Sequence, residues 1–407
     1  MHFLFAWRYF KAKKSTQAIN VIAWTSMGAM VIGTAALILV LSVFNGFEGM
    51  VKSLYSSFYP SWKIIPASGK TLTLHEDQLK AMAALPGVTA VSRVIEEKAM
   101  LQAGENQTMV QLKGVDDRYR QVSGVASHLV NGEYRLGTSE QPQVVLGAGV
   151  ADALGVYSDR NLIPLTVYLP QKTTTLQLDW TRDIRMGLLQ TAGTFMIQQD
   201  FDNRYAIVPI GFMQSSLGID ATLCSAVEIA TTATVDAPSL RNSLQQIIGS
   251  QCIVQDRYQQ NQSLYAVMRT ERWIVYAVLS LILVVAAFTM IGALTMLVLE
   301  KQKDISVLQA LGMDRSGILR IFLSEGLLLA AGGAGLGMLL ASAMAWLQIR
   351  FHLIPLQGGS FLIDYYPVAL QGNDFLLVGI TVLVIATLAS WLPAYKASRT
   401  PFELRAE

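Results

Sequence analysis

Charge is what this chain of 407 residues has least of: Asp, Glu, Lys and Arg make up 15% of it, against 52% hydrophobic residues. Soluble domains carry about a quarter of their residues as charges, so the shortage already points to a membrane protein. The formal net charge is +2 and there is no basic block, which leaves nucleic acid without an electrostatic footprint to bind. Cysteine is nearly absent too: Cys224 and Cys252 are too few for a disulfide scaffold or a thiolate metal cluster. The histidines (His2, His75, His128 and His352) are scattered without ligand spacing, so no metal centre is expected. Neither a G-x-S-x-G elbow nor an H-E-x-x-H helix occurs. Ser68-Gly69-Lys70-Thr71 imitates the end of a phosphate-binding loop. Ile64 stands where that pattern needs its first glycine, so a surface turn is expected instead.

Apolar runs, by contrast, are long. Crossing a bilayer takes about 20 apolar residues, and four stretches qualify: 19–47, 273–299, 321–347 and 375–393. Only the third contains a charge, Glu325 near its start. That position can reach headgroup water, so an interfacial carboxylate is the simpler expectation and a functional charge the sharper one. Gly332, Gly333, Gly335 and Gly337 follow, interleaved with Ala330, Ala331 and Ala334. They offer a small-residue face for close packing within the subunit or for a moving seam. The first run is too long for a cleaved signal peptide and lacks its cleavage site, and reads as a retained signal anchor.

Orientation follows from the basic flanks. Arg8, Lys11, Lys13 and Lys14 precede the first run; Lys301, Lys303, Arg315 and Arg320 lie between the second and third; Lys396, Arg399 and Arg405 follow the fourth. The short segment 348–374 holds only Arg350. Because Lys and Arg stay on the cytoplasmic side, residues 1–18, 300–320 and 394–407 are expected in the cytoplasm. Residues 48–272 then form a large extracytoplasmic domain, and 348–374 a short outer loop.

That domain reads as α+β. A helix over His75–Leu85 and a strand over Val88–Val94 flank Pro86-Gly87, and strands near Lys98–Leu101 and Met109–Leu112 follow. Near its other end, a strand over Ala226–Ala230, a helix over Ser239–Ile248 stopped by Gly249, and a strand over Cys252–Val254 repeat the arrangement. Two strand–helix–strand units of this kind pack into one sheet with helices on a face. Residues 140–222, with β-rich runs at Leu162–Leu169 and Tyr205–Ile210, read as a β-rich insertion. An oxidising compartment permits a disulfide between Cys224 and Cys252, near strand starts in the second unit, and geometry decides whether it forms. The amphipathic stretch Asn261–Arg272 suggests that the second span continues outward as a helix, and the first can do so through 41–55.

The first span closes on Leu41-Ser-Val-Phe-Asn-Gly-Phe-Glu-Gly-Met50 without a basic stop signal. Phe44 and Phe47 lie three apart on one helix side, and Asn45-Gly46 is either a packing point or a flexible joint. On the cytoplasmic side, Glu300-Lys301-Gln302-Lys303-Asp304-Ile305 leads into a short helix. Ile305, Leu308 and Leu311 recur on it at three-residue spacing, and Gly312 stops it. Asp304 near the helix start favours its positive dipole end. Such a helix either lies in the headgroup layer or docks its apolar face on a cytoplasmic partner.

The run Leu297-Val-Leu-Glu-Lys-Gln-Lys-Asp-Ile-Ser-Val-Leu-Gln-Ala-Leu-Gly-Met313 resembles the signature of the FtsX/MacB-type ABC transporter permeases. The ending, Leu392-Pro-Ala-Tyr-Lys-Ala397 followed by Pro401-Phe-Glu-Leu-Arg405, resembles theirs as well, as does the order of spans and outer domain. The basic Arg8-Tyr-Phe-Lys11 start and the Leu41–Glu48 stretch are most similar to the lipoprotein-releasing permeases of the LolC/LolE type. The resemblance implies four transmembrane helices with a porter-like α+β outer domain between the first and second. It also implies a multi-pass protein of the bacterial inner membrane that is not itself an enzyme, ATP and Mg being bound by a separate subunit. Expected partners are a cytoplasmic ABC ATPase dimer, a second permease copy or paralogue, a lipid-anchored protein substrate and a periplasmic carrier. Glu300, Lys301, Asp304, Ile305, Leu308, Leu311 and Gly312 would then form the coupling element. Leu41, Phe44, Phe47, Trp273, Ile274 and Val278, at the outer ends of the first two spans, would offer apolar surface to acyl chains.

Overall fold

The structure, a computed structural model, describes residues 17–156, 164–170, 184–232, 235–356 and 365–399. The basic N-terminal residues Arg8–Lys14, the family-like ending Pro401–Arg405 and the start of the Leu162–Leu169 run lie outside the described residues.

The chain opens with α1 (Gln17–Phe58), one unbroken 42-residue helix. It stops two residues short of Pro60, where the residue before proline is pushed out of the helical region. There follow β1 (Trp62–Pro66), β2 (Leu72–Thr73), α2 (Glu76–Ala83), β3 (Val88–Ala103), β4 (Asn106–Val115), β5 (Leu129–Gly132) and β6 (Gln143–Gly147). Next come α3 (Ala148–Leu154), β7 (Leu165–Pro170), β8 (Ile184–Phe195), β9 (Tyr205–Pro209), α4 (Ile210–Leu217), β10 (Leu223–Cys224), β11 (Ala226–Thr231), α5 (Ala237–Ile248) and β12 (Cys252–Asp256). The chain then turns helical: α6 (Gln262–Glu300), α7 (Gln302–Ala310), α8 (Arg315–Phe351) and α9 (Gly372–Ser398). Helices α1, α6, α8 and α9 are long and apolar enough to cross a membrane. The chain divides into two units, one spanning 51–265 and the other built from the helical residues before 51 and after 265.

In the first unit β3 of the first strand–helix–strand segment and β11 and β12 of the second share a sheet, in the order β12-β1-β11-β3-β4-β9-β6-β8-β5, with β7 pairing β3 and β8, whereas the Leu72–Thr73 strand pairs with β10 in a separate two-stranded sheet. The strand expected to end at Val94 does not break before Lys98. Val88–Ala103 is one 16-residue strand, because every backbone position from Val94 to Ala103 is matched by β4 through the hairpin at Gly104. Gly104 (φ 58) supplies the left-handed residue that this turn needs. The described strands of residues 140–222 are not a separate layer. Strand β9 pairs in parallel with β4, and β6, β7 and β8 extend the same sheet. The apolar core on one side collects Ile64, Leu79, Met82, Val91, Leu101, Leu112, Val227 and Leu244, and a second cluster gathers around Phe58, Val115, Tyr119, Phe195 and Ile207. Both cysteines are free: Cys224 is buried opposite Leu72 on β2, and Cys252 is half-buried opposite Pro66 on β1. Burial pushes the Cys224 thiol up to about 12.

In the helical unit, Met30, Leu37 and Ile38 of α1 meet Leu283, Met290 and Leu294 of α6, Leu329 and Ala334 of α8, and Val378 and Val382 of α9. The small-residue face of α8 explains how α1 fits. A Cβ on Gly333 would stand 2.8 Å from Met30 Cβ, and one on Gly337 2.6 Å from the Val31 carbonyl oxygen. Small residues therefore bring the two helices nearly backbone to backbone. Gly335 points away from this seam, and Gly332 lies at its edge, where a Cβ would stand 3.7 Å from Met27 Sδ; both are exposed. Glu325 departs from the interfacial expectation: it is 1% exposed, because Ile321, Glu325 and Leu329 lie at four-residue spacing on the face of α8 that packs inward.

Candidate functional site

Three constellations carry polar or exposed apolar groups that sheet and helix packing alone do not need. The first lies at the end of the helical unit where α1 leads on into residues 51–58. Here Asp374, in the first turn of α9, is 1% exposed, and two side chains reach it. Arg272 of α6 donates from Nη2 to Oδ1 at 2.6 Å, and Asn45 of α1 donates from Nδ2 to Oδ2 at 2.5 Å. Asn45 Nδ2 also lies 3.3 Å from the Ala369 carbonyl oxygen. The backbone closes the same gap: Ala369 N–H donates to the Ser42 carbonyl at 2.9 Å. Gly46 completes the fit, since a Cβ there would overlap the Pro367 carbonyl group. Asn45-Gly46 is thus a packing point in an unbroken helix, not a joint. One turn further along α6, the Tyr276 hydroxyl bonds the Thr381 hydroxyl of α9. Behind this group, Gln348 of α8 donates to the carbonyls of Ile354 and Tyr366 and accepts from Ile354 N–H, which orders the described ends of the α8–α9 loop.

The candidate acyl-accepting residues surround this polar group unevenly. Trp273, Ile274 and Val278 are more than half exposed, and Phe47 is 39% exposed. Together with Leu281, Val285 and Phe288 they continue as a bare apolar stripe along α6 at three- and four-residue spacing. Phe44 is half-buried. Leu41 does not belong to the set: it is 1% exposed in the core, because Ile38, Leu41, Ser42 and Asn45 form the inward face of α1. Asn45 was marked in the sequence as a packing point or joint, but Arg272 and Asp374 were not singled out as its partners. Arg272 and Asp374 each border an uncharged span, and Asn45 sits near the end of a third.

The second constellation is the α6–α8 connection. Lys301 stands at the N-cap of α7, and its ammonium pairs with Asp304 at 3.1 Å across one turn. The expected single apolar stripe is divided. Ile305 is 2% exposed and packs with Leu297, Ile318, Phe322 and Ala394, anchoring α7 to the ends of α6, α8 and α9. Leu308 is half-buried, whereas Leu311 (79%) and Val307 (58%) are exposed. The division has a geometric cause: three-residue steps drift by about 60° each around a helix of 3.6 residues per turn, so Ile305 and Leu311 end on different sides. Glu300 is half-buried at the end of α6, and Gly312 (φ 88) takes the left-handed position after α7. Asp314 then caps α8 by accepting from Gly317 N–H at 3.0 Å.

The third lies inside the α+β unit. Lys113 of β4 is 1% exposed and donates to Glu228 of β11 at 2.8 Å and to Glu96 of β3 at 3.2 Å. Lys63 of β1 closes a square of alternating charge, 3.4 Å from Glu96 and 3.7 Å from Glu228. The Lys113 ammonium also lies 5.1 Å from the centre of the Phe58 ring and 5.0 Å from that of Tyr119. Burial alone would raise the Glu96 carboxyl, but Lys113 and Lys63 overcome it and hold it at about 2. Burial would likewise lower Lys113, and Glu228 and Glu96 reverse the sign, keeping it firmly protonated. Burial raises the Tyr119 hydroxyl to about 12. Among the described residues no group of His, Cys, Asp or Glu could hold a metal ion.

Comparison with known proteins places these features. The MacB-like periplasmic core domain matches residues 23–247, and the FtsX-like permease C-terminal domain matches 276–402. The lipoprotein-releasing system transmembrane protein LolC of Neisseria meningitidis serogroup B is 26% identical over 98% of this chain and 98% of its own length. LolE of Haemophilus influenzae, of the same system, is 25% identical over 98% of this chain and 97% of its own. The pyoverdine export ATP-binding/permease protein PvdT of Pseudomonas syringae pv. syringae is 26% identical over 97% of this chain, which spans 57% of that protein. The solved periplasmic region of MacB from Actinobacillus actinomycetemcomitans covers 53% of the chain at 12% identity, with a TM-score of 0.36. With a MacB-like domain matched over more than half its length and an FtsX-like domain over most of the remainder, the chain belongs to the FtsX/MacB-type permeases.

Proposed function

We propose that this chain is the transmembrane subunit of an ABC-type lipoprotein-releasing complex in a bacterial inner membrane. A separate cytoplasmic ATPase dimer, which binds ATP and Mg, drives it to lift lipid-anchored proteins from the outer leaflet and pass them to a periplasmic carrier. Both termini lie in the cytoplasm in this reading, and a second permease copy or a paralogue completes the membrane part. The observation that supports it best is the end-to-end similarity to LolC and LolE, which spans the α+β unit and all four long helices.

The geometry gives the reading a mechanism. Extraction of an acyl chain forfeits about 0.8 kcal/mol per methylene, so the chain needs an apolar acceptor and an external energy source. The stripe from Trp273 to Phe288, with Phe47, is such a surface. Helix α7 presents Val307 and Leu311 outward for a partner while Ile305 ties it to α6, α8 and α9. A push on α7 is thereby delivered to three helices at once. Purification in detergent tests the reading: an ATPase and a lipoprotein should co-purify, and ATP should discharge the lipoprotein. A complex that holds its lipoprotein through ATP turnover would sink the proposal. The similarity to PvdT favours a second reading, an export or mechanotransmitting permease acting on another partner; an ATPase-bound complex with no lipoprotein would select it.

A further inference from the structure

Asn45, Asp374 and Arg272 come from three helices and meet at a carboxylate 1% exposed. We infer that they form a permanent clasp, and that the ends of α1, α6 and α9 beside it move as one rigid body through the transport cycle. This inference rests on the proposed function, which supplies the cycle. Ionised partners make these hydrogen bonds roughly twice as strong as neutral ones, and releasing either partner would leave a buried charge under-satisfied.

Beside the carboxylate the helices also meet through backbone atoms. The Ala369 N–H bonds the Ser42 carbonyl directly at 2.9 Å, and Gly46 lets α1 rest on the Pro367 carbonyl with no side chain between. The Tyr276–Thr381 hydroxyl pair adds a second rung between α6 and α9. Helix α8 meets α1 differently, through Gly333 and Gly337 against Met30 and Val31, a seam of van der Waals contact. Close-packed elements of this kind shift between discrete arrangements or move together, and do not deform continuously. Opening of an acyl-accepting surface beside Phe47 and Trp273 would therefore displace α1, α6 and α9 as a set.

The test is a reversible staple across the clasp. Ser42→Cys and Ala369→Cys are introduced into a chain carrying Cys224→Ser and Cys252→Ser, and the complex with its ATPase is purified. A small-molecule disulfide oxidant takes two electrons and two protons from the thiols as the S–S bond forms, and a reductant reverses it. ATP-driven lipoprotein discharge should differ between oxidised and reduced forms by less than about fivefold, the lower edge of a substantial energetic coupling. A larger loss on oxidation, restored by reductant, overturns the clasp while leaving the proposed function standing. If the reduced form discharges nothing, the lipoprotein reading is what fails, and the clasp is judged by distance. Spin labels at exposed Gly49 and Leu376 should keep their separation between nucleotide-free and vanadate-trapped complexes. A change beyond about 3 Å, larger than a helix shift of about 1–2 Å, overturns it.

Discussion

Replacing Lys113 by methionine keeps the length and apolar stem of the side chain and removes one charge from the buried square. Glu228 loses a partner at 2.8 Å and Glu96 one at 3.2 Å, leaving both carboxylates to share Lys63 at 3.7 and 3.4 Å. The square changes from neutral to one net negative charge, with Glu228 fully buried. Breaking a buried ion pair by removing one partner costs about 3–5 kcal/mol. At about 1.4 kcal/mol per factor of ten, amide exchange through opening of β3, β4 and β11 should accelerate between about a hundredfold and a few thousandfold. Hydrogen–deuterium exchange on the full chain in detergent reads this strand by strand. The double variant Lys113→Met/Glu228→Gln leaves Lys63 and Glu96 as a neutral pair and should recover most of the protection. Exchange unchanged in the single variant, or equally fast in both, would refute the reasoning.

Acid should reach the same square. Glu96 is held at about 2 against an ordinary 4.5, so its contribution to stability is complete above about pH 4.5 and is lost as pH falls through 2; exchange of β3 should accelerate across that window. Maleimide should label Cys252 well before Cys224, whose thiol is buried and raised to about 12; equal rates would contradict the burial of β10. Leu311→Asp should leave the chain folded, since that side chain is 79% exposed, but should cut ATPase co-purification; Ile305→Asp should instead destabilise the helical unit by about 2 kcal/mol or more, seen as a lower unfolding temperature. Gly46→Val should destabilise the helical unit by about 1–3 kcal/mol, because its Cβ meets the backbone of Pro367, whereas Gly49→Ala, which meets nothing, should be neutral in the same scan.

The membrane spans were legible because uncharged length is a coarse quantity that four helices satisfy without reference to their neighbours. The terminal α–β segments were legible for a similar local reason: Gly87 and Gly249 mark their breaks, and both residues are in the left-handed half of the map. What escaped was set by non-local partners. Strand β3 read as two pieces, Val88–Val94 and one near Lys98–Leu101, yet Glu96 between them is in mid-strand, held by Lys113 and Lys63 from two other strands. Leu41 looked like lipid-facing surface because hydrophobicity alone does not tell a lipid face from a core face inside a bilayer. Asn45 and Gly46 marked the inward side in the sequence, but only the positions of Pro367, Ala369 and Asp374 give them that meaning. The coupling stripe failed on helical geometry, its three-residue spacing spiralling too far for Ile305 and Leu311 to share a face.

The hydrogen bond from Asn45 to Asp374 joins residues 329 positions apart. During synthesis α1 precedes α9, so Asn45 and Arg272 wait without their carboxylate until Asp374 has been made. Contacts so distant along the chain form late and slowly, and until then α1 exposes an unsatisfied amide in lipid, where such groups are costly. A chain cut short before α9 therefore carries its defect on α1, far from the cut. The clasp makes the later helix a condition for stable burial of the earlier one, so α9 certifies the packing of α1 and α6.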